Sequence, residues 1–275
     1  MQWLTEKPLT TGVDLHTRNF LFRSSIPASG SIAELHSRYG RPDEVAVRRA
    51  DGNPPGPHAP PHAIYPMSQT VPADEVSDPE VVICDHGTSF VASATESPTL
   101  HTPALYLPPE DFFGEAITTA ADIWTLGATL YEVLRERPLF ESFEWDRDDI
   151  IAEMFSTLGP LPARWWDAWW NSGHFSKPNG ERIPEAESMR TMTPYARPLR
   201  RRLWDMGRGE TPESCKWDFQ GGEFQALEDL LRGMLAFEPA ERLMAEQVHS
   251  SEYIRKWALP AWERQVGRAK ATAGL

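Results

Sequence analysis

The sequence predicts a mainly α-helical protein with a few short β-strands and a proline-rich insert. The stretch "TTAADIWTLGATLYEVLRERP", which begins at Thr118, carries apolar residues on nearly every face, as is typical of a buried central helix. Residues 23–79 hold ten of the 25 prolines, which favours turns and polyproline segments there. Further helical patterns follow at about 146–158, 162–171, 222–236 and 244–257.

The composition is that of a globular protein of 275 residues, long enough to bury a sizeable core. Its two cysteines, Cys84 and Cys215, cannot form a disulfide framework, and the N-terminus lacks the pattern of a signal peptide. No apolar run approaches the roughly 18 residues of a membrane-spanning helix. We therefore expect an intracellular protein, cytoplasmic or nuclear or both, whose net charge of -13 disfavours direct nucleic-acid binding.

Oxygen-bearing side chains cluster near two predicted strands. Asp14 and Asn19 lie in the loop "GVDLHTRN", which leads into the apolar strand "FLF", and Asp85 follows a second strand, Val81–Cys84, which we expect to be buried. Phosphoryl transfer needs a carboxylate that accepts a hydroxyl proton and hard oxygen ligands that hold Mg²⁺ against phosphates. The pattern predicts Asp14 as the base and Asn19 and Asp85 as the Mg²⁺ ligands.

One short helix is predicted inside the proline-rich insert, in "SIAELHSRYG". Ser31 is a candidate cap, Glu34 stands three residues later, and Gly40 ends the pattern.

These motifs resemble the protein kinase superfamily, in which H-R-D-L-x-x-x-N is approximated by "GVDLHTRN" and D-F-G by "DHG" at 85–87. The resemblance makes Gly87 a structural glycine. The stretch "DLHTRN" looks equally like the D-L-H-x-x-N of aminoglycoside and choline kinases, which phosphorylate small molecules. The loop alone therefore leaves the substrate class open.

Downstream motifs favour the protein kinases. "YLPPE", which ends at Glu110, resembles A-P-E, and "DIWTLG", which begins at Asp122, resembles D-x-W-x-x-G. The segment "MLAFEPAERLMAEQVHSSEYI" resembles the end of the kinase domain and supplies Arg242 as the expected partner of Glu110. The resemblance further implies that Asp122 accepts backbone N–H bonds from the catalytic loop.

A narrower resemblance is to the serine/arginine-rich protein kinases and their fungal relatives. It rests on "RERPLFESFEWDRDDIIAEMFSTLGPLPARWW" and on the insert "YGRPDEVAVRRADGNPPGPHAPPHAIYP". The resemblance implies a serine/threonine protein kinase that uses ATP and Mg²⁺ on a protein substrate. The net charge and the acidic stretch "ESFEWDRDD" at 141–149 favour a basic, Arg/Ser-rich substrate.

Several features depart from the kinase pattern. Only 13 residues precede Asp14, and "EVAVRR" at 44–49 imitates V-A-I-K but follows the catalytic loop, so the N-terminal β-lobe is expected to be absent. The chain 1–275 is then a C-terminal lobe, inactive alone, whose docking surface is covered by the missing lobe or by a partner. His16 replaces the loop lysine, which leaves His16 and Arg18 as candidate cations. Two further replacements are Gly12 and Val13.

Two functions remain open on these grounds. Retention of Asp14, Asn19 and Asp85 favours a serine/threonine kinase, whereas the missing lobe favours a degenerate kinase lobe that acts as a binding module.

Two other patterns have alternative explanations. The basic run "RPLRRRLW" at 197–204 is either a phosphate or import patch or, more simply, a solvated face. Paired tryptophans at helical spacing are either base-stacking platforms or packing residues, and an acidic protein favours packing. They are Trp165, Trp166, Trp169 and Trp170.

Overall fold

The computed structural model describes residues 10–11, 14–22, 30–65, 78, 80–92, 99–142, 146–169, 197–206 and 217–273. The α-helices in these ranges are α1 Ile32–Tyr39, α2 Pro109–Phe112, α3 Ala120–Arg135, α4 Arg147–Leu158, α5 Ala163–Ala168, α6 Leu199–Trp204, α7 Glu223–Met234, α8 Ala245–Ser250 and α9 Leu259–Ala273. Short 3-10 helices lie at Thr17–Asn19, Ala104–Tyr106 and Pro239–Glu241, and a π-helical turn lies at Ile254–Ala258.

The strands form three two-stranded pairs rather than one sheet. They are β1 Thr10–Thr11, β2 Phe20–Phe22, β3 Glu44–Ala46, β4 His62–Ile64, β5 Val81–Ile83 and β6 Phe90–Val91. β1 pairs with β6, β2 with β5, and β3 with β4. The predicted mainly helical fold with a few short strands is confirmed. None of the helices in the described part of the chain has the length and apolar character needed to cross a bilayer.

The chain divides into two compact units. The first unit comprises residues 1–21 and 82–262 and contains the large apolar core. The second comprises residues 22–81 and 263–275.

The helix predicted from Thr118 is α3, and it lies in the core of the first unit. Its buried side chains surround the helix axis, as an apolar pattern on every face requires. Trp124 is fully buried and stacks on Phe140 with ring centroids 5.7 Å apart. α3 packs against α7 at Gly127, where the helices approach so closely that an added Cβ would lie 3.0 Å from Met234 Cβ. A glycine is therefore needed at this crossing.

The strand predicted at Val81–Cys84 forms as β5, but the prediction that it is buried was wrong. Val81, Val82 and Ile83 are 47%, 43% and 37% exposed. Within the described part of the chain β5 pairs with β2 alone, and Leu21 and Phe22 of β2 are also exposed. An apolar strand is buried only where a layer packs on its faces, and the sequence pattern does not report whether such a layer exists.

The insert contains more regular structure than its proline content indicated. α1 begins with the predicted capping box, in which Ser31 Oγ accepts from the Glu34 backbone N–H at 3.2 Å. "EVAVRR", whose first three residues form β3, pairs with β4 in an antiparallel ribbon. Among residues 30–65, no side chain that the structure describes is buried. The parts of the insert at 23–29, 66–77 and 79 lie outside the described residues.

The tryptophan cluster is part of the core. Trp165, Trp166 and Trp169 are buried on and just after α5, and Trp165 stacks on Phe113 at 5.1 Å. These rings are not available for base stacking, as the packing interpretation predicted. Trp170 lies outside the described residues.

The basic run at 197–204 is only partly a solvated face. Leu199 and Leu203 of α6 lie in the core, and Arg202 is buried beside them. Arg202 Nη2 donates to Glu153 Oε2 at 2.5 Å, and its Nη1 donates to the Leu139 carbonyl at 3.0 Å. Sequence reasoning missed this pair because a buried arginine needs a partner that only the fold supplies.

The last helical prediction, 244–257, was wrong about continuity. α8 ends at Ser250, and Ser251 has an extended backbone with ψ 154°. The π-helical turn and α9 follow.

Candidate active site

Hydrogen bonds hold the loop that contains Asp14 and Asn19 both internally and to α3. Asn19 Nδ2 donates to the Asp14 carbonyl at 3.0 Å, which closes the loop across five residues. The backbone N–H of His16 donates to the same carbonyl at 2.8 Å. From the core, Thr129 Oγ1 on α3 donates to the Leu15 carbonyl at 2.7 Å. The loop is therefore fixed both internally and to the buried helix.

Asp14 has an unusual backbone and an unusual carboxylate. Its φ of 54° is left-handed, a conformation that costs energy for a residue with a Cβ and that is common at functional sites. Its Oδ2 lies 3.4 Å from His16 Nε2. Its Oδ1 is buried and has no hydrogen-bond partner among the described residues. A buried carboxylate oxygen with no partner costs free energy in a folded protein, which indicates that the Asp14 carboxylate binds another molecule or ion.

Asp85 follows β5 and is joined to the Asp14 loop through the backbone. The N–H of Cys84 donates to the Asn19 carbonyl at 2.9 Å, next to the β2–β5 pair. Asp85 therefore directly follows, in the sequence, the residue that is hydrogen-bonded to Asn19. Its φ of 61° is also left-handed, and the side chain is exposed. Asn19 stands directly before β2 begins and Asp85 stands two residues after β5 ends, so the pairing places both residues at one end of the β2–β5 pair.

The donor set of this region fits a magnesium ion. Mg²⁺ prefers hard oxygen ligands and usually takes one or two from the protein, with the rest from water and phosphate. The Asn19 amide nitrogen is engaged with Asp14, which leaves its oxygen as the atom for a cation. The exposed carboxylate of Asp85 is the second such group.

The two residues proposed as cations differ sharply in their surroundings. Arg18 is exposed, so its guanidinium lies at the surface of the loop. His16 is buried, and its Nδ1 accepts a hydrogen bond from the Arg18 backbone N–H at 3.2 Å. Its Nε2 lies 3.4 Å from Asp14 Oδ2 and 3.4 Å from Asn19 Nδ2. That His16 supplies positive charge to the site stays a prediction.

Glu110 and Arg242 form an ion pair in the core of the first unit. Both side chains are 0% exposed. Arg242 Nη1 donates to Glu110 Oε1 at 2.7 Å, and Nη2 donates to Oε2 at 2.5 Å. The same guanidinium donates to the carbonyls of Ala120 and Phe237 and lies 5.0 Å from the Trp124 ring centroid. The pair joins α2 and the start of α3 to the segment that precedes α8.

Two other residues were named from the sequence, Asp122 and Gly87. Asp122 lies in the first turn of α3 and is half-buried. Gly87 has no left-handed φ, and a Cβ added there would meet no atom within 4 Å. The structure therefore shows no steric need for glycine at this position. Gly12 and Val13 lie outside the described residues.

Sequence reasoning missed a polar face of α3 that supports the site. Thr125 Oγ1 donates to the Tyr106 carbonyl at 3.1 Å, and Tyr106 Oη donates to Glu132 Oε2 at 2.6 Å. Burial and the neighbouring carboxylate raise the pKa of Tyr106 above its usual range, so the phenol keeps its proton. Thr125, Thr129 and Glu132 recur at four- and three-residue spacing, which was the available signal.

The acidic stretch at 141–149 is largely engaged with its own protein. Glu141 Oε2 accepts from Arg197 Nη2 at 2.8 Å. Asp146 caps α4, and Asp148 Oδ1 accepts from Trp169 Nε1 at 2.7 Å. Each of these three carboxylates therefore already has a hydrogen-bond partner within the protein. Residues 143–145 lie outside the described part.

The structure places the loop that contains Asp14 and Asn19 next to the β2–β5 pair, which Asp85 follows, and it contains a buried Glu110–Arg242 pair. A family model described as the protein kinase domain matches residues 74–254, more than half of the chain. The chain therefore belongs to the protein kinase family. The matched range includes Asp85, Glu110 and Arg242 but begins after Asp14 and Asn19.

Curated relatives agree with this family. Cyclin-dependent kinase G-1 of Oryza sativa subsp. indica is 28% identical over 186 residues, which cover 66% of this chain and 23% of the relative. Cyclin-dependent kinase 12 of Drosophila melanogaster is 26% identical and is covered to 14%. Mitogen-activated protein kinase MPS1 of Pyricularia oryzae is 28% identical and is covered to 38%. The chain thus spans well under half the length of these relatives.

Proposed function

We propose that this chain carries the part of a protein serine/threonine kinase site that contains the catalytic base and the Mg²⁺ ligands. The observation that supports this best is the Asp14 carboxylate, whose buried Oδ1 has no partner among the described residues. A general base must reach the substrate hydroxyl directly, and the Asp14 side chain is 13% exposed, so the carboxylate has both a surface and capacity to accept that bond.

In this proposal the Asp14 carboxylate accepts a hydrogen bond from the serine or threonine hydroxyl. The hydroxyl oxygen forms a bond to the γ-phosphorus of ATP, the bond to the bridging oxygen breaks, ADP leaves, and the hydroxyl proton moves to Asp14. Asn19 and Asp85 would hold Mg²⁺, which neutralises charge on the phosphates when bound. Arg18 is the exposed cation of the loop that remains for the transferred phosphoryl group.

The kinase subfamily, the substrate class, the cellular location and the covering lobe or partner are also proposals. The relatives reported above are named as cyclin-dependent and mitogen-activated kinases, so placement among the serine/arginine-rich protein kinases rests on the motifs quoted from the sequence. A basic, Arg/Ser-rich substrate rests on the net charge of -13, because the 141–149 stretch is engaged internally. An intracellular location, and a nucleotide-binding lobe or partner that covers the exposed β2–β5 pair, complete the proposal.

The test uses the full natural polypeptide that contains residues 1–275, Mg-ATP and two serine peptides, one Arg/Ser-rich and one neutral. We expect Asp14→Asn to lower phosphate transfer by about a hundredfold or more without a change in melting temperature. Asp51→Asn, a matched substitution in the insert, should leave transfer unchanged. Full activity of Asp14→Asn would refute the role of Asp14. Equal transfer to both peptides at low salt would refute the Arg/Ser preference.

A kinase-like binding module is the second candidate. It is favoured by the replacement, at His16, of the lysine that protein kinases use in this loop as a cation for phosphoryl transfer. Absence of transfer from the full polypeptide to any protein substrate, with Mg-ATP binding also absent, would select this function.

A further inference from the structure

The hydrogen bonds of the β3–β4 ribbon show which residues of the first strand face the second. The Val47 N–H donates to the Pro61 carbonyl at 3.0 Å, and the Tyr65 N–H donates to the Asp43 carbonyl at 3.0 Å. Consecutive residues of a strand direct their backbone N–H and C=O groups to opposite edges. Asp43 and Val47, and by alternation Val45, therefore direct these groups towards β4.

The outer edge of β3 carries the backbone groups of Glu44 and Ala46 and, by continued alternation, of Arg48. Within the described part of the chain this edge has no strand partner, because β3 pairs with β4 alone. All three side chains are exposed. An unpaired edge is a template for another strand, and a two-stranded ribbon is marginally stable by itself. The edge of β4 is a poorer template, because Pro60 and Pro66, which lack an N–H, flank that strand in the sequence.

The charges along the outer edge of β3 suit antiparallel pairing with a second copy of the same strand. Residues 43–49 read "DEVAVRR", with two acidic side chains before the apolar centre and two basic side chains after it. When two such strands run antiparallel about Ala46, Glu44 of each copy lies opposite Arg48 of the other. Opposite charges that face each other across antiparallel strands are stabilising. Parallel pairing in register would instead place like charges opposite each other, which is destabilising.

The register that pairs these charges also uses the backbone groups that are free. With Ala46 on a two-fold axis, its N–H faces the Ala46 carbonyl of the other copy, and Glu44 and Arg48 form the neighbouring bonded pairs. These are the residues of the outer edge. A shift by two residues in either direction would place neither charge opposite the other, and Pro42 has no N–H with which to extend the ladder.

The same register brings valines of the two copies together. Val45, Val47 and Tyr65 lie on one face of the ribbon, because residues that face each other in a ladder share a side of the sheet. Val45 is 45% exposed and Tyr65 is 61% exposed. In the antiparallel assembly Val45 of each copy lies opposite Val47 of the other, and such β-branched cross-strand pairs stabilise a sheet.

We propose that the outer edge of β3 is a homodimer interface, in which two copies pair antiparallel about Ala46 and form a four-stranded sheet in the order β4–β3–β3–β4. The partner is a second copy because the charges of this strand complement those of the same strand reversed. Arg49 Nη2 already lies 2.7 Å from Asp51 Oδ2, so specificity depends chiefly on Glu44 and Arg48. This inference goes beyond the proposed kinase function and does not depend on it.

Charge reversal tests the pairing without any measurement of activity. Sedimentation equilibrium of the full natural polypeptide at low salt gives the dissociation constant of the dimer. Glu44→Arg or Arg48→Glu alone places like charges opposite each other twice in each dimer, so either change should weaken the dimer about tenfold or more. Arg137→Glu, at an exposed position of the first unit, makes the same change in net charge and should leave the dissociation constant unchanged.

A backbone variant tests the edge separately from the charges. Ala46→Pro removes the N–H at the two-fold axis, which is directed away from β4, so it should abolish the dimer while the melting temperature of the monomer changes little. A dimer of wild-type affinity in Ala46→Pro would overturn pairing through this edge.

Mixing the two charge variants tests the register. One variant is basic at both positions and the other is acidic at both, so every facing pair in a mixed dimer again has opposite charges. We expect the mixture, and also the double variant Glu44→Arg/Arg48→Glu, to associate within about threefold of wild type. A monomeric wild type, single variants that dimerise as wild type does, or a mixture and a double variant that both stay monomeric would each overturn the proposed interface.

Discussion

At the residue scale, the Glu110–Arg242 pair shows how a charged group can be stable in an apolar core. Each oxygen of Glu110 accepts one guanidinium hydrogen bond, and three backbone carbonyls take up the other donors of Arg242. Full hydrogen bonding of both partners offsets the desolvation cost of burying two charges. Removal of either partner leaves the other charge uncompensated.

We expect Arg242→Met to lower the free energy of unfolding by about 3–5 kcal/mol, because Glu110 would remain buried without a cation. Urea denaturation followed by circular dichroism measures this loss. Arg201→Met is the matched control, because Arg201 is exposed and its ion-pair partner among the described residues is Asp205, at the end of the same helix, so a change below about 1 kcal/mol is expected. The double variant Glu110→Leu/Arg242→Met should recover part of the loss. A double variant as unstable as the sum of the two single changes would contradict coupling.

At the element scale, the contact between α3 and α7 fixes the core of the first unit. Gly127 of α3 faces Met234 and Leu235, at 3.0 and 3.2 Å from a hypothetical Cβ. Met234 contributes its Cβ, an atom that cannot move without its helix. The glycine in "DIWTLG" is therefore explained by the distance between two helices rather than by a turn.

Gly127→Ala should destabilise the protein by about 1–3 kcal/mol, because the overpacking at α7 exceeds the gain in helix propensity. The matched control is Gly267→Ala in α9, where an added Cβ meets nothing within 4 Å and a change between zero and about 1 kcal/mol in the stabilising direction is expected. Both are measured as shifts in the urea midpoint. A Gly127→Ala variant at least as stable as wild type would show that α3 and α7 can separate without cost.

At the scale of the whole molecule, burial is concentrated in one of the two units. The core residues belong to the first unit, and no side chain described between residues 30 and 65 is buried. The exposed apolar side chains of that segment include Ile32, Val45, Ile64 and Tyr65. Burial of apolar side chains in the insert therefore contributes little to the stability of the fold.

Replacement of residues 23–79 by a short Gly/Ser linker should therefore leave cooperative unfolding of the remaining chain, with a free energy of unfolding within about 1 kcal/mol of the intact protein. A shorter connection between β2 and β5 costs less closure entropy, which opposes any small loss of contacts. Differential scanning calorimetry of both proteins makes the comparison. Loss of the cooperative transition would show that the insert is required for the fold.

The candidate site was predictable where a motif fixes both residue type and spacing. Asp14 and Asn19 lie five residues apart, and the Asn19 side chain reaches back to the Asp14 backbone within the same loop. Asp85 could be associated with them because it follows the second predicted strand, β5, which pairs with β2. The contacts of the His16 ring could not be predicted, because they depend on the positions of single atoms of Arg18, Asn19 and Asp14 in the folded loop.

By itself, the sequence determined the local features of this protein: the capping box of α1, the extent of the buried helix α3, and the kinase motifs that carry the Glu110 and Arg242 side chains. These depend on neighbours in the chain or on strongly patterned segments, so short windows contain the information. Only the tertiary structure decided that β5 is exposed, that Arg202 is buried against Glu153, and that His16 is buried beside Asp14. Burial and ion pairing depend on groups that are distant in sequence or on the orientation of single side chains, and periodicity carries no record of either.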